Sequence, residues 1–206
     1  MDVMTEDDQS PFYDYETRQG FLPISWDDAV AICKGLALAV APFEPDLILG
    51  VARGGLYPAT LLSHLLRTEL YPIRITRRVR DEVVHDQPVW VLQPPAAVAG
   101  QRVLIVDEIC SEGITIGMAR DEVTAMGAAV VRSAVMYAHT WGAAVPDYIG
   151  LISDALIINP WDREIVRDGS IVPHPEYVHA FGQQGMTPPA DLLSGAAARD
   201  PAKTSP

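Results

Sequence analysis

The sequence predicts an α/β fold, a mostly parallel sheet flanked by helices. Two observations carry that expectation. Short, continuously apolar runs of strand length, such as 46–51 (DLILGV) and 102–106 (RVLIV), alternate with stretches of helical period. Strands read this way when helices bury both faces of a parallel sheet. The strand-to-helix turns also carry glycines, Gly54, Gly55 and Gly113, where a short crossover needs a tight path.

Residues 1–14 are acidic and polar and are expected to stay unfolded. The folded domain is expected to span 15–182. Its first helix starts at Ser25, an N-cap with Asp28 three residues later in the manner of a capping box, and stops at Pro42. Strand 46–51 runs into ARGG, and 56–69 (LYPATLLSHLLRTE) has helical period. Residues 71–79 (YPIRITRRV) and 88–94 (PVWVLQP) read as strands separated by the polar RDEVVHDQ. Then come a strand at 101–107, a helix at 115–126 closed by Gly127, a strand at 129–138 and a short strand at 155–158. From 183 onward Pro, Ala, Gly and Ser dominate, and a disordered tail is expected. No internal repeat interrupts the pattern.

Composition limits the function. In 206 residues, 49% hydrophobic, the chain has enough apolar surface to fold as one domain. A net charge of −12 disfavours nucleic acid and anionic membranes, both of which need basic surface, so an anionic ligand must be captured locally. No apolar run reaches the ~18 residues of a membrane span and no signal pattern opens the chain, so a cytoplasmic location is expected. The two cysteines have neither metal-ligand nor redox spacing. Cys33 lies in an apolar helical run and reads as core. Cys110 precedes a helix start, where a thiolate would be stabilised, and reads either as a loop filler or as a reactive thiol.

Ligands of open parallel sheets bind outside the carboxyl ends of the strands. Three unusual segments fall there: ARGG (52–55), DEICSEGIT (107–115) and the turn carrying His139. Backbone N–H groups of Ser111, Glu112, Gly113, Ile114 and Thr115 at a helix start form an anion cradle of the kind that takes phosphate. The acids just upstream, Asp107 and Glu108, suit vicinal hydroxyls or a metal ion. Hydroxyls beside a phosphate imply a sugar phosphate. Arg53 with Gly54 and Gly55 suits a second anion such as pyrophosphate. Arg74, Arg77, Arg78 and Arg80 form a basic cluster in an acidic chain, either an anion-facing loop or a solvated hairpin face.

VLIVDEICSEGIT and ILGVARGGLYPA together resemble the type I phosphoribosyltransferases, in particular the xanthine-guanine and hypoxanthine branch. YPIRITRRVRDEVVHDQPVW is similar to that branch's flexible-loop region, and PDYIG…DALIINPWD to its small base-binding hood. The resemblance covers roughly residues 25 to 165. It implies transfer of a phosphoribosyl group from its 1-diphosphate to a nitrogenous base, with Mg²⁺ as cofactor and a homo-oligomeric assembly. Asp107 and Glu108 would bind the ribose hydroxyls and the metal, and residues 111–115 the 5′-phosphate. Arg53, Gly54 and Gly55, with Arg77 and Arg78 of the loop, would hold the pyrophosphate. His139, Leu156, Ile157 and Asp162 would form the base site.

Departures from the pattern cluster at the base. Ser111 stands at the catalytic position where 6-oxopurine enzymes have an acid, and Glu112 replaces a threonine. His139 replaces the lysine that donates to the 6-oxo group, and Leu156 replaces a stacking aromatic. Neutral imidazole can accept a hydrogen bond, which suits an exocyclic amine. Adenine is therefore expected over guanine and hypoxanthine, within ordinary or specialised nucleoside metabolism or with a related sugar. Two alternatives remain open: a non-catalytic regulator that keeps the diphosphosugar site, and an ordinary 6-oxopurine salvage enzyme.

Overall fold

A computed structural model describes residues 12, 13, 15–189 and 192. Most of the acidic segment 1–14 and most of the tail expected from 183 lie outside the described residues. The elements in chain order are β1 (Phe21–Pro23), α1 (Trp26–Val40), β2 (Leu47–Val51), α2 (Leu56–Leu66), β3 (Glu69–Thr76), β4 (Arg78–Val79), β5 (Glu82–Val83), β6 (Val89–Leu92) and β7 (Arg102–Cys110). They continue with α3 (Ile114–Ala125), β8 (Val130–Ala138), β9 (Tyr148–Ile152), β10 (Leu156–Ile158), β11 (Glu164–Arg167), β12 (Ser170–Pro173) and α4 (Pro175–Gln183). They form two compact units, Trp26–Asp154 and a second one built from both ends of the chain.

The larger unit holds a six-stranded sheet of order β6-β3-β2-β7-β8-β9, parallel except for β6 at one edge. The expected mostly parallel α/β sheet is therefore the fold. β2 and β7 are buried along their apolar runs, as strands covered on both faces must be. Helix α3 presents Ile116, Ala119 and Val123, spaced i, i+3, i+7, to a core that includes Leu49, Val51, Val103 and Ile105. Helix α1 buries Ala29, Cys33, Leu36, Ala37 and Val40 at the same period, which places Cys33 in the core as expected.

The chain leaves β2 for β3 on one side and returns to place β7 on the other. β2 and β7 are thus neighbours whose connections diverge, a topological switch point that opens a crevice at their carboxyl ends.

Several local expectations change. Residues 71–79 do not form one strand: β3 stops at Thr76, and β4 folds back on β5 through Arg80 and Asp81, both at positive φ. This is the two-residue turn that matches strand twist in a tight hairpin. Tyr148–Ile152, within the segment likened to the base hood, is β9 on the edge of the large sheet. As an edge strand it leaves two of its five residues exposed, although its run, Tyr-Ile-Gly-Leu-Ile, holds no charged residue.

The smaller unit pairs β1 with β10 in parallel, carries the β11–β12 hairpin and ends in α4. Leu156, Ile158, Tyr177, Ala180 and Phe181 are its buried cluster, with Tyr15 and Phe21 packed on them.

Candidate active site

The site grows from β7. Its ladder with β8 continues past the apolar run to Ile109 and Cys110, so Asp107 and Glu108 sit on the strand rather than in a loop. Strand pairing fixes their backbone. Burial, followed by the neighbouring Glu108 charge, pushes the Asp107 carboxyl up to about 8, against the hydrogen bond that the Glu108 N–H donates to Asp107 Oδ1 (2.7 Å). Metal-free, the pair resists carrying two charges.

Across the switch point lies the turn after β2. Its glycines are where the two turns meet. A β-carbon on Gly54 would lie 1.6 Å from Glu108 Oε2 and 2.1 Å from its Cδ; one on Gly55 would lie 2.8 Å from Asp107 Cα and 2.6 Å from the Val51 carbonyl oxygen. The acid pair is packed onto the bare backbone of the ARGG turn. Only glycine permits that approach. The Ala52–Arg53 peptide is cis. Arg53 extends from this turn and pairs with Asp81 at the tip of the β4–β5 hairpin, both side chains being substantially exposed.

The expected anion cradle falls on the turn before α3. Gly113, at φ 81°, is the N-cap of α3, and its position supplies no side-chain cap to the first N–H groups of the helix. Ser111 is partly buried and Glu112 exposed, so the Glu112 carboxylate lies at the surface rather than inside the cradle. The loop after β8 buttresses the turn: Gly142 approaches the Ser111 carbonyl so closely that a β-carbon would lie 1.8 Å from the oxygen, and Val145 packs on Gly113.

Cys110 is enclosed by the same contact. Its Sγ lies 3.5 Å from the Gly142 carbonyl, and burial, then Asp107, pushes its thiol up to about 11. The reactive-thiol alternative is corrected here: the strand runs through Cys110, so its side chain points into the core cluster and never reaches the helix start.

His139 is 2% exposed. Its backbone N–H donates to the Cys110 carbonyl (3.0 Å), which ties it to the end of β7. Its Nδ1 lies 2.7 Å from the Ser153 carbonyl and its ring stacks on Trp141 at 4.6 Å. A carbonyl can only accept, so Nδ1 carries a proton, with the Asp154 carboxylate 4.0 Å away; in the neutral form of the ring the acceptor lone pair is then at Nε2. Nothing in the sequence singled out Ser153 or Asp81, since each acquires its role only from a partner far along the chain, 14 and 28 residues away.

Arg77 and Arg78 are used locally. Arg77 Nε donates to the His85 carbonyl (2.9 Å), and Arg78 Nη1 to the Asp81 carbonyl (2.9 Å), so both brace the hairpin. In the smaller unit, Leu156 and Ile158 point into the apolar cluster, and the alternation of β10 turns Ile157 to the opposite face. Leu156 is corrected from base contact to packing residue, because its side chain is committed to Tyr177 and Phe181. Asp162 accepts from the Tyr177 hydroxyl at 3.5 Å.

Among the described residues no group of three or more His, Cys, Asp or Glu gathers as a metal cage. Asp107 and Glu108 nevertheless fit Mg²⁺. Two adjacent hard oxygen donors, one with its pKa raised by burial and then by its neighbour's charge, match an ion that takes one or two carboxylates and completes its shell with substrate phosphates and water. No helix of the described residues is long and apolar enough to cross a membrane.

Comparison with known proteins agrees with this geometry. The phosphoribosyl transferase domain model matches residues 27–167. The xanthine-guanine phosphoribosyltransferase of Gluconobacter oxydans is 28% identical over 149 residues, 69% of this chain and 84% of that protein. The adenine phosphoribosyltransferase of Rhodospirillum centenum is 29% identical over 130 residues, covering 60% and 74% respectively. A crystal structure of a purine phosphoribosyltransferase from Pyrococcus horikoshii superimposes with a TM-score of 0.64 at 30% identity, over 74% of this chain and all of that one. With acids on a glycine turn at the switch point, an uncapped helix start beside them and a family match across most of the chain, the protein belongs to the phosphoribosyl transferase family and is an enzyme.

Proposed function

We propose that this enzyme transfers a phosphoribosyl group from its 1-diphosphate to a purine base, with adenine preferred over 6-oxopurines. The observation that carries the reading is the packing of Asp107 and Glu108 onto Gly54 and Gly55. It sets a diol-binding acid pair directly between a phosphate cradle and a turn open to a second anion, the spacing of groups that a 1-diphosphate of ribose 5-phosphate presents. A sensor would need only the same sugar contacts, but the similarity to adenine and xanthine-guanine phosphoribosyltransferases favours transfer.

In this reading the N–H groups of 111–115 and the Thr115 hydroxyl hold the 5′-phosphate. Asp107 and Glu108 accept from the 2′ and 3′ hydroxyls and would hold Mg²⁺, which when bound neutralises diphosphate charge and improves the leaving group. Arg53 holds the diphosphate by charged hydrogen bonds. A ring nitrogen of the base attacks C1 and the C1–O bond breaks. The electron pair leaves with pyrophosphate, and the ring proton is released. Positive charge develops on the sugar ring during the step, and the carboxylates beside it stabilise that charge by position. Ser111 is a hydroxyl, a poor base, so proton removal is not its contribution.

Base preference rests on His139. With Nδ1–H given to the Ser153 carbonyl, Nε2 meets the base as an acceptor, which suits a 6-amine and opposes a 6-carbonyl. Ile157 and Asp162, in the smaller unit, stay candidate base contacts on the resemblance alone.

The test is incubation with phosphoribosyl diphosphate, Mg²⁺ and a panel of bases while pyrophosphate release is followed. Adenine should be turned over and guanine poorly. His139→Lys should shift preference toward 6-oxopurines by one to several orders of magnitude, of the order expected when a buried polar contact is mismatched. Efficient guanine turnover by the unaltered enzyme would replace this reading with ordinary 6-oxopurine salvage, and no release with any base would remove the transferase reading.

A further inference from the structure

We propose that Arg120 is a positioning residue for the 5′-phosphate: it grips the loop 139–147 and holds Val145 against Gly113, which fixes the turn that the phosphate would enter. The inference rests on the transferase reading above, in which residues 111–115 bind the phosphate, and adds a residue that touches no substrate.

The loop leaves β8 after Ala138 and is tied back to that strand just before β9, where the Asp147 N–H donates to the Ser133 carbonyl (3.0 Å). On the way it packs on the phosphate turn at two places. A β-carbon on Gly142 would lie 1.8 Å from the Ser111 carbonyl oxygen, and one on Gly113 would lie 2.6, 2.8 and 2.9 Å from Cγ2, Cγ1 and Cβ of Val145. The Val145 N–H donates to the Gly142 carbonyl at 3.1 Å, so both contacts belong to one bend.

Arg120 anchors that bend. It lies about two turns beyond Gly113 on α3, hence on the same face, and helical side chains lean back toward the N-terminus. Its Nη2 reaches three acceptors, the Val145 carbonyl (3.2 Å), Ser133 Oγ (2.8 Å) and Asp147 Oδ2 (2.9 Å). Ser133 is fully buried, and its N–H donates to the same Asp147 oxygen at 2.9 Å. One guanidinium thus joins α3, β8 and the loop. Arg132 offers a comparison: its Nη1 donates to Asp147 Oδ1 at 2.6 Å, and among the described residues its side chain bonds Asp147 alone. Exposed ion pairs stabilise a fold little, so what distinguishes Arg120 is the carbonyl it holds. Backbone N–H groups bind an anion well only when several converge on it, and a turn free to shift loses affinity although no donor is removed.

The experiment measures, by calorimetry on the full chain, the affinities of ribose 5-phosphate and of pyrophosphate with Mg²⁺. The proteins compared are the unaltered chain, Arg120→Met, Val145→Ala and Arg132→Met. Arg120→Met and Val145→Ala should each bind ribose 5-phosphate roughly tenfold more weakly, the loss expected from one misaligned hydrogen bond to a charged group. Both should keep their pyrophosphate affinity, because that ligand is assigned to the turn 52–55. Arg132→Met loses an ion pair of the same kind and should keep both affinities. Unchanged ribose 5-phosphate affinity in Arg120→Met or in Val145→Ala would overturn the proposal. So would an equal loss in Arg132→Met, or parallel loss of both ligands, the marks of a purely structural role. If Arg120→Met does not fold, Val145→Ala decides, since it leaves the backbone carbonyl to Arg120 and removes only the contact with Gly113. Failure of the underlying reading looks different. An unaltered protein that binds no ribose 5-phosphate overturns the cradle and this proposal with it, whereas binding without pyrophosphate release strikes the transfer step and leaves the affinities to decide Arg120.

Discussion

Gly54 and Gly55 are adjacent and look interchangeable, yet the structure predicts opposite consequences for adding one methyl group to each. At Gly54 the new carbon would meet the Glu108 carboxylate at 1.6 Å from Oε2, the far end of a flexible side chain that can swing away. At Gly55 it would meet the Val51 carbonyl oxygen at 2.6 Å and Asp107 Cα at 2.8 Å, backbone atoms of two paired strands that cannot. Overpacking of that kind typically costs about 1–3 kcal/mol. For a chain of this size that lowers the melting temperature by roughly 2–12 °C. Gly54→Ala should melt within a degree or two of the unaltered protein, since the displaced carboxylate moves toward solvent. It should nevertheless weaken phosphoribosyl diphosphate binding, because Glu108 no longer lies over the turn. One displaced charged hydrogen bond is worth about 1.5–3 kcal/mol, roughly ten- to a hundredfold in affinity. Thermal unfolding and titration calorimetry with Mg²⁺ and phosphoribosyl diphosphate check both halves. Equal loss of stability in the two variants, or full affinity in Gly54→Ala, would refute the claim that the acid pair and the glycine turn form one site.

Asp107 has a folded-state pKa above its ordinary value, so the folded protein holds that proton more tightly and the associated stability is present at low pH and lost as pH rises from about 4 through about 8. Asp107→Asn should flatten that decline in melting temperature for the metal-free protein while weakening Mg²⁺-dependent sugar binding; parallel curves for both proteins would contradict it. Arg53→Ala should cost about 1.5–3 kcal/mol in pyrophosphate affinity, and unchanged inhibition by pyrophosphate would show that ARGG is not the diphosphate turn. Because Asp81 occupies Arg53 through an exposed pair, Asp81→Asn should strengthen diphosphate binding only slightly, by about 0.2–1 kcal/mol, and weakened binding in that variant would show that Asp81 assists rather than competes.

What the sequence determined by itself were the features written in local chemistry. Continuous apolar runs become β2 and β7 because strands buried on two faces leave no room for polar residues. The glycine after each marks a turn that side chains would block. Two acids beside a helix start raise the expectation of vicinal hydroxyls or a metal ion next to a phosphate. Tertiary structure decided everything that depends on which segments meet. That Glu108 lies on Gly54 follows from strand order, with β2 and β7 adjacent although half a hundred residues separate them. Cys110 looked like a thiol at a helix start until the ladder with β8 ran one residue further and turned it inward. Leu156 and Ile157 are indistinguishable apolar neighbours in sequence, and only the packing of Tyr177 and Phe181 against one face of β10 assigns the first to the core. His139 acquires a defined tautomer from the Ser153 carbonyl, a partner supplied by the strand that periodicity did not reveal. The physical reason is common to all four: polarity and turn propensity are properties of a residue and its near neighbours, whereas side-chain direction and hydrogen-bond partnership are set by pairing across the sheet.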